Sequence, residues 1–275
     1  IQMDERIINS FKETSITTFD EWISRRKNLT SSLVPILLEL DEADLSNLFF
    51  QLESNSRELA QSQVIGNMFV SLLEISIIHF FRRSYDHIIK SFPYINDMML
   101  NPNRDLCLVA SRCLRYLAEE SDDNFTFLRK ALENAKKCFS SPNKNSLIFN
   151  SMAILAEVGR FFPNNVFGIT LNHFPEVWGS IVNNNNDNRL RNVALKVLYI
   201  HLSQLPSDIK TTFAESLYVD CNCFFNNSVT EAVHGAVLIF KAIYKLYPST
   251  FTDERTIQTI EKLINLSLGD RKSVV

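Results

Sequence analysis

The sequence predicts an all-α protein built from stacked antiparallel helix pairs, an α-solenoid of the HEAT or armadillo type. Three helical segments end in a proline, at Pro163, Pro206 and Pro248, so the segments recur at spacings of 43 and 42 residues. A period of about 40–47 residues made of paired helices is typical of HEAT and armadillo arrays. The 275 residues also include only 6 Gly and 8 Pro, which favours helices over a turn-rich sheet.

The repeated segments share a register that can be followed position by position. A small residue lies twelve positions before each terminal proline, and a fourth segment fits the same register if it ends at Asp122. The four small residues are Ala110, Ser151, Ala194 and Ala236. A small side chain lets a neighbouring helix approach closely, and the apolar residues that follow at helical spacing form the packed stripe. We therefore expect these four residues to be buried where equivalent helices stack side by side.

The helical segments divide the chain into two regions. Residues 1–53 contain short helical segments outside the 42-residue register, and we interpret them as an irregular N-terminal part or a degenerate repeat. Residues 54–275 form the repeat array, with about five helix pairs. The predicted helical segments of the array are 56–78, 82–100, 106–121, 123–139, 146–163, 167–182, 188–206, 207–225, the segment around Ala236 that ends at Pro248, and 251–268. The chain begins with Ile and ends shortly after a helix, so we expect it to be a piece of a longer protein.

The charge and the apolar runs bear on two classes of partner. A net charge of −3 gives no broad basic surface of the kind that nucleic-acid-binding proteins carry, so no nucleic-acid partner is expected. The most apolar run, 68–81, has 14 residues and contains Glu74 and His79. A bilayer span needs about 20 apolar residues. We therefore expect a core helix in this run and no membrane span.

The cysteines predict a reducing compartment. They are Cys107, Cys113, Cys138, Cys221 and Cys223. No two of them form a CxxC pair, and a structural zinc site needs four ligands at recognisable spacing, which this sequence does not offer. We interpret each of them as a buried free thiol, which suits a reducing compartment. The expected location is the cytoplasm, with membrane-associated complexes reached through partner proteins.

No motif for enzyme chemistry occurs in the sequence. The 6 glycines are scattered and form neither GxGxxG nor GxxxxGK[ST], so no phosphate-binding loop is expected. The 5 histidines form no HExxH motif, and no GxSxG is present. We expect no catalytic, cofactor-binding or metal-binding residue, no cofactor and no small-molecule substrate, and we interpret His201 and His234 as packing or surface residues. An enzyme site assembled from distant residues by folding, such as a Cys–His pair, stays open as an alternative.

One pattern of charged residues points to a binding surface. Basic residues flank the apolar stripe on the repeated helices. They are Arg112, Arg115, Arg160, Lys196, Lys241 and Lys245. In such arrays the second helix of each pair tends to line the concave surface, so these residues predict a basic ladder that holds a protein partner. The alternative is that they are solvated side chains beside a core stripe.

Several segments carry a resemblance to a known family. The residues Ala110–Ala118 read ASRCLRYLA, a small-basic-leucine core. A later helix has Leu155 and a central Glu157, is closed by Pro163 and is followed by the aromatic Phe167. In this combination the chain resembles the N-terminal HEAT solenoid of target of rapamycin (TOR) kinases, over about 57–205 and most clearly over 103–206.

The resemblance implies a parent protein that is a Ser/Thr kinase of the phosphatidylinositol-kinase-related group. In that family the solenoid binds adaptor subunits and supports dimeric assembly in growth and nutrient signalling, and the catalytic domain lies outside these residues. The function implied for this chain is therefore a protein-interaction scaffold without catalytic residues. Two other HEAT-repeat functions stay open, namely a karyopherin-like transport receptor and a phosphatase scaffold.

Overall fold

In the computed structural model, the described residues are 6, 31–48, 50, 89, 92–120, 124–183, 186–225, 230–250, 254, 255, 257–259, 261 and 262. They are helical apart from turns and short connections, and they contain no β-strand. The predicted 56–78 helix and most of the regions 1–53 and 251–268 lie outside the described residues. The chain divides into two compact units, Ile1–Val158 and Gly159–Val275.

The first unit is a set of packed helices. Residues 31–39 and 42–48 are helical. The longer elements that follow are α1 (Phe92–Met99), α2 (Arg104–Glu120), α3 (Asn124–Ser140) and α4 (Lys144–Gly159). Helix α2 packs against both α1 and α3. It begins after Asn103, whose side-chain oxygen accepts hydrogen bonds from the backbone N–H groups of Asp105 and Leu106 at 3.0 and 3.3 Å, because the first N–H groups of a helix have no partner within it.

Buried asparagines hold the turn between α1 and α2 in place. The Asn150 side chain on α4 donates hydrogen bonds to the carbonyls of Met99 and Asn101, at 2.9 and 2.7 Å. Asn134 on α3 donates to Asn96 on α1 at 2.7 Å. A buried carbonyl without a hydrogen bond is costly, so these side chains fix where α1 ends relative to α3 and α4.

The second unit contains the remaining helices of the described residues. They are α5 (Pro163–Asn172), α6 (Phe174–Ile181), α7 (Asn188–Ser203), α8 (Lys210–Phe225) and α9 (Thr230–Leu246), followed by a short 3-10 turn at Pro248–Thr250. Helix α7 packs against α5, α6 and α9, and α8 packs against α9. Helix α7 begins with Asp187 as its N-cap, whose carboxylate accepts a hydrogen bond from the backbone N–H of Leu190.

The prediction of one helical run over 167–182 is wrong, because the structure has two short helices there. The chain bends at His173, whose backbone N–H still donates to the Ile169 carbonyl, and a new helix starts at Phe174. Pro175 explains the break, since it has no N–H and its ring would clash with a preceding helical carbonyl. Helix α4 ends at Gly159, before Pro163, and Pro163 opens α5 in its first turn, a position that suits its fixed backbone angle.

Two residues from different helices fix the end of α6. The buried Arg191 of α7 donates from its Nε to the Ile181 carbonyl at 2.9 Å, and its guanidinium also reaches the Asn188 side chain at 2.7 Å. Gly235 of α9 approaches the same place so closely that an added Cβ would overlap the Ile181 carbonyl and lie 3.0 Å from the Cα of Val182. Helices α7 and α9 are thereby held against one point on α6.

The four small residues of the repeat register are all buried as predicted. Ala110, Ser151, Ala194 and Ala236 are each 0% exposed. In the second unit the two helices that carry Ala194 and Ala236, α7 and α9, pack directly on each other. The prediction of an all-α protein with packed helix pairs is confirmed for the described residues, and this architecture is compatible with an α-solenoid. No helix in the described part of the chain combines the length and the apolar composition needed to cross a bilayer.

Candidate protein-interaction surface

Two members of the predicted basic ladder lie inside the first unit and are not exposed. Arg112 and Arg115 of α2 are only 6% and 4% exposed. Arg115 Nε lies 3.2 Å from the Glu157 carboxylate of α4, and Arg112 Nε lies 4.0 Å from the same carboxylate. Arg115 also lies 3.5 Å from Glu119, one turn further along α2. These two arginines bind carboxylates of their own chain, so the prediction that they line an exposed ladder is corrected.

The other members of the ladder are exposed and belong to the second unit. Arg160 lies just after α4, and its guanidinium is 5.6 Å from the centre of the Phe161 ring, which is itself about half exposed. Lys196 lies on α7, and Lys241 and Lys245 lie on α9. The three lysines are exposed, and among the described residues no carboxylate pairs with them.

A lysine of α9 covers a tyrosine of α7, and this contact joins the exposed sides of the two helices. Lys245 Nζ lies 5.5 Å from the centre of the Tyr199 ring, a geometry in which the ammonium is attracted to the ring face. Two residues after Lys245, just beyond the end of α9, the Tyr247 hydroxyl donates a hydrogen bond to the Leu202 carbonyl of α7. The later residue of α7, Leu202, contacts the later residue beside α9, Tyr247, so α7 and α9 run parallel.

The parallel register places the remaining lysines at similar heights on the two helices. One helical turn is 3.6 residues. One turn before Lys245 is Lys241, and one turn before Tyr199 is Lys196, so the register puts Lys241 and Lys196 within about one helical turn of each other on neighbouring helices. The resulting surface, which we name the α7–α9 face, also includes Tyr244. Tyr199 and Tyr244 are 37% and 43% exposed.

The α7–α9 face is locally basic although the whole chain is weakly acidic. Helix α7 contains no Asp or Glu, and the only acid of α9 is Glu231, in its first turn. The three exposed lysines lie in the second half of each helix, away from Glu231. At physiological salt charges in water are screened beyond about 8–10 Å, and among the described residues no carboxylate forms an ion pair with these lysines.

His201 is a packing residue. It is 1% exposed, and its ring stacks on Phe167 with the two ring centres 4.5 Å apart. Phe174 and Phe213 complete its aromatic surroundings, at 5.7 and 6.1 Å. Burial lowers the pKa of His201 to about 4, so the ring is neutral at pH 7. Neither ring nitrogen has a hydrogen-bond partner among the described residues. His234, in contrast, is exposed on α9.

Four of the five cysteines are buried free thiols as predicted, and the prediction is wrong for Cys223, which is exposed. Burial raises the pKa of Cys138 to about 11 and raises the pKa values of Cys107 and Cys221 still further from their ordinary range. A thiol must lose its proton to act as a nucleophile, so these three are inert at neutral pH. In the described part of the chain, no three His, Cys, Asp or Glu side chains converge as a metal site would require.

Comparisons of the chain with protein-family models, with curated proteins and with solved structures find no match. The resemblance to the TOR solenoid therefore rests on the sequence segments described above. The geometry that bears on function is the α7–α9 face, of which the sequence pattern identified the lysines but missed Tyr199 and Tyr244. A signal for Tyr199 was present, since it occupies the register position of Arg115, seven places before the end of its repeat segment.

Proposed function

We propose that this chain is a protein-interaction scaffold, a HEAT-type solenoid that belongs to a TOR-like kinase and binds its adaptor subunits. The observation that carries the proposal is the α7–α9 face, where two consecutive repeat helices run parallel and present lysines and half-exposed tyrosines on one side. A surface built from several stacked helices is suited to summing weak contacts over a wide area. Tyrosine is among the residues most enriched at energetically important positions of protein interfaces.

The proposal assigns no catalysis to this chain. Among the described residues, buried Cys107, Cys138 and Cys221 have raised thiol pKa values and His201 is stacked on Phe167, which supports a packing role for these four side chains. The kinase domain of the parent protein lies outside these residues in the proposed arrangement. Self-association, where it occurs, would be a property of that parent.

The proposed location is the cytoplasm, in complexes that reach membranes through their protein partners. Four buried cysteines that are free thiols support this location, because disulfides form readily in secreted proteins and rarely in the reducing cytosol. No nucleic-acid or small-molecule partner is part of the proposal.

The parentage is tested by reading the full-length transcript of the gene. A TOR-like parent predicts a Ser/Thr kinase domain encoded downstream of these residues. A long helical-repeat protein without any kinase domain would contradict the parentage and favour the transport-receptor or phosphatase-scaffold function instead.

The scaffold function is tested by co-expressing the chain with the TOR adaptor subunits of its own organism. We expect the chain to elute from a sizing column together with one adaptor, with light scattering reporting a defined stoichiometry. An adaptor known to belong to an unrelated kinase complex serves as the control. Elution of the chain alone beside every TOR adaptor would contradict the proposal.

A further inference from the structure

The exposed charges of the α7–α9 face select the chemistry of a partner. The register puts Lys196 and Lys241 within about one turn of each other on parallel helices, and Lys245 lies one turn beyond Lys241 and is held over Tyr199. Three ammonium groups lie on one side of two adjacent helices whose one acid is Glu231 in the first turn of α9, and they form a positive potential that attracts carboxylates and repels other cations.

The tyrosines of the face add an apolar contact between the charges. The Tyr199 ring is 37% exposed even with Lys245 above it, and Tyr244 is 43% exposed on the same helix as Lys241 and Lys245. A ring that is half exposed has apolar area left to bury, and its hydroxyl can donate or accept a hydrogen bond. A partner that only neutralised the lysines would leave this area in water.

We propose that the α7–α9 face binds an acidic segment of a partner protein in which carboxylates alternate with apolar or aromatic residues. The carboxylates pair with Lys196, Lys241 and Lys245, and the apolar side chains pack on Tyr199 and Tyr244. This inference rests on the proposed scaffold function, because it names the kind of segment that the scaffold recognises.

A polyanionic nucleic acid is the competing occupant, and the observations favour the protein. Nucleic-acid interfaces are strongly basic and use arginine extensively. The whole chain instead has a net charge of −3, and the face has three lysines and no exposed arginine among its defining residues. On the α7–α9 face, charged lysines alternate with tyrosine rings. Such a surface matches a protein segment with mixed charged and apolar side chains better than it matches a phosphate backbone.

The test measures binding of a labelled probe peptide of alternating Glu and Phe to the full chain by fluorescence anisotropy. The matched probes are the same peptide with Gln in place of Glu, and a single-stranded RNA of similar length. We expect the Glu–Phe peptide to bind, the Gln peptide to bind about tenfold more weakly at low salt, and the RNA to bind more weakly than the Glu–Phe peptide.

The variant Lys196→Glu with Lys241→Glu locates the binding site. We expect about a tenfold loss of peptide affinity, mainly through slower association, and a smaller dependence of affinity on salt. The charge-matched control is Lys136→Glu with Lys137→Glu, because both lysines are exposed on α3 in the first unit. A further variant, Tyr199→Ser, is expected to speed dissociation of the Glu–Phe peptide, and unfolding curves of all variants report whether each remains folded.

Three results would overturn the inference: no binding of the Glu–Phe peptide to the wild-type chain, equal losses in the face variant and the α3 control, or tighter binding of RNA than of peptide. The last would assign the face to nucleic acid.

The scaffold proposal and the inference about the face can fail independently of each other. If the peptide binds the face but no adaptor co-elutes with the chain, only the adaptor proposal fails. If an adaptor binds the face variant as well as the wild type, only the inference about the face fails.

Discussion

Arg115 and Glu157 lie 42 residues apart in the chain and form an ion pair between α2 and α4, with Arg115 Nε 3.2 Å from the Glu157 carboxylate. The segments that carry them are 41 residues apart, from Ala110 to Ser151, so the pair joins consecutive repeat segments at positions one residue out of register. In the second unit the residue in the register position of Arg115 is Tyr199, and it too is covered by the next repeat helix, through Lys245. The same register position therefore contacts a later repeat helix in both units, through an ion pair in the first unit and a cation–π contact in the second.

The Glu157→Gln variant tests the ion pair. It removes the negative charge that faces both Arg112 and Arg115, which are almost fully buried. Glu119 still lies 3.5 Å from Arg115 in this variant, so the penalty is smaller than for a fully uncompensated buried charge, and we expect the free energy of unfolding to fall by about 1–3 kcal/mol in urea titration. Glu133→Gln is the control, because Glu133 is exposed and pairs with the exposed Arg129 and the half-buried Lys130 of its own helix, so the change should cost less than about 1 kcal/mol. Equal effects of the two changes would contradict the account.

The Gly235→Ala variant tests the close contact between α9 and the end of α6. The added methyl group would overlap the Ile181 carbonyl, which is backbone and cannot rotate away. We expect a loss of about 1–3 kcal/mol in the free energy of unfolding, measured by chemical denaturation.

The matched control for Gly235 is the same substitution at Gly168 in α5, where an added Cβ meets no atom within 4 Å. Alanine is a better helix former than glycine, so Gly168→Ala should stabilise the protein by about 0.5–1 kcal/mol. The pair of variants should therefore have effects of opposite sign. A neutral or stabilising Gly235→Ala would show that the helices are not this close.

The Ala194→Leu variant tests the packing predicted from the repeat register. Ala194 is 0% exposed on α7, so a larger side chain must displace its neighbours. We expect a loss of about 1–3 kcal/mol in thermal or chemical unfolding. Asn192→Leu, at an exposed position of the same helix, is expected to change stability by less than about 0.5 kcal/mol. An Ala194→Leu protein as stable as the wild type would contradict the tight packing at this position.

His201 predicts that the protein loses stability on mild acidification. Burial lowers its pKa to about 4 in the folded state, whereas an unfolded chain has a histidine pKa of about 6.5. Between these values the unfolded state binds the proton more readily, so the free energy of unfolding falls as pH decreases from about 6.5 to 4. For this residue the loss between pH 7 and pH 5 is about 2 kcal/mol.

The His201→Phe variant separates this contribution from that of other titrating groups. It keeps an aromatic ring beside Phe167 and removes the ionisable nitrogens. We expect its free energy of unfolding to fall less than that of the wild type between pH 7 and pH 5, by about 2 kcal/mol, in urea titrations at both pH values. Identical pH dependence in the two proteins would contradict the assignment of a neutral buried ring.

The repeat register could be predicted from the sequence because it depends on local patterns. Small residues at a fixed distance from the segment ends, such as Ala194 and Ala236, were expected to be buried and are buried. The boundaries of the short helices were harder to predict, since the break at His173 depends on a single proline at position 175 within an apolar run.

The surface residues show where prediction from the sequence fails. Periodicity tells which side of a helix is apolar, but whether a charged residue beside that stripe meets water or a carboxylate depends on a helix 42 residues away, as for Arg115 and Glu157. The same limit explains Cys223. It lies two positions after the buried Cys221 on α8, and residues two apart on a helix point to different sides.

Site-specific photocrosslinking in cells of the source organism tests most directly whether this chain is a protein-binding scaffold. A photoreactive residue replaces Tyr199 on the α7–α9 face or, as the control, Val219, which is 59% exposed on α8. The account predicts that the residue at position 199 crosslinks to an adaptor subunit of the TOR-like complex and that the residue at position 219 does not. Absence of any adaptor crosslink at position 199, in cells where the adaptor is present, or equal crosslinking from both positions would contradict it.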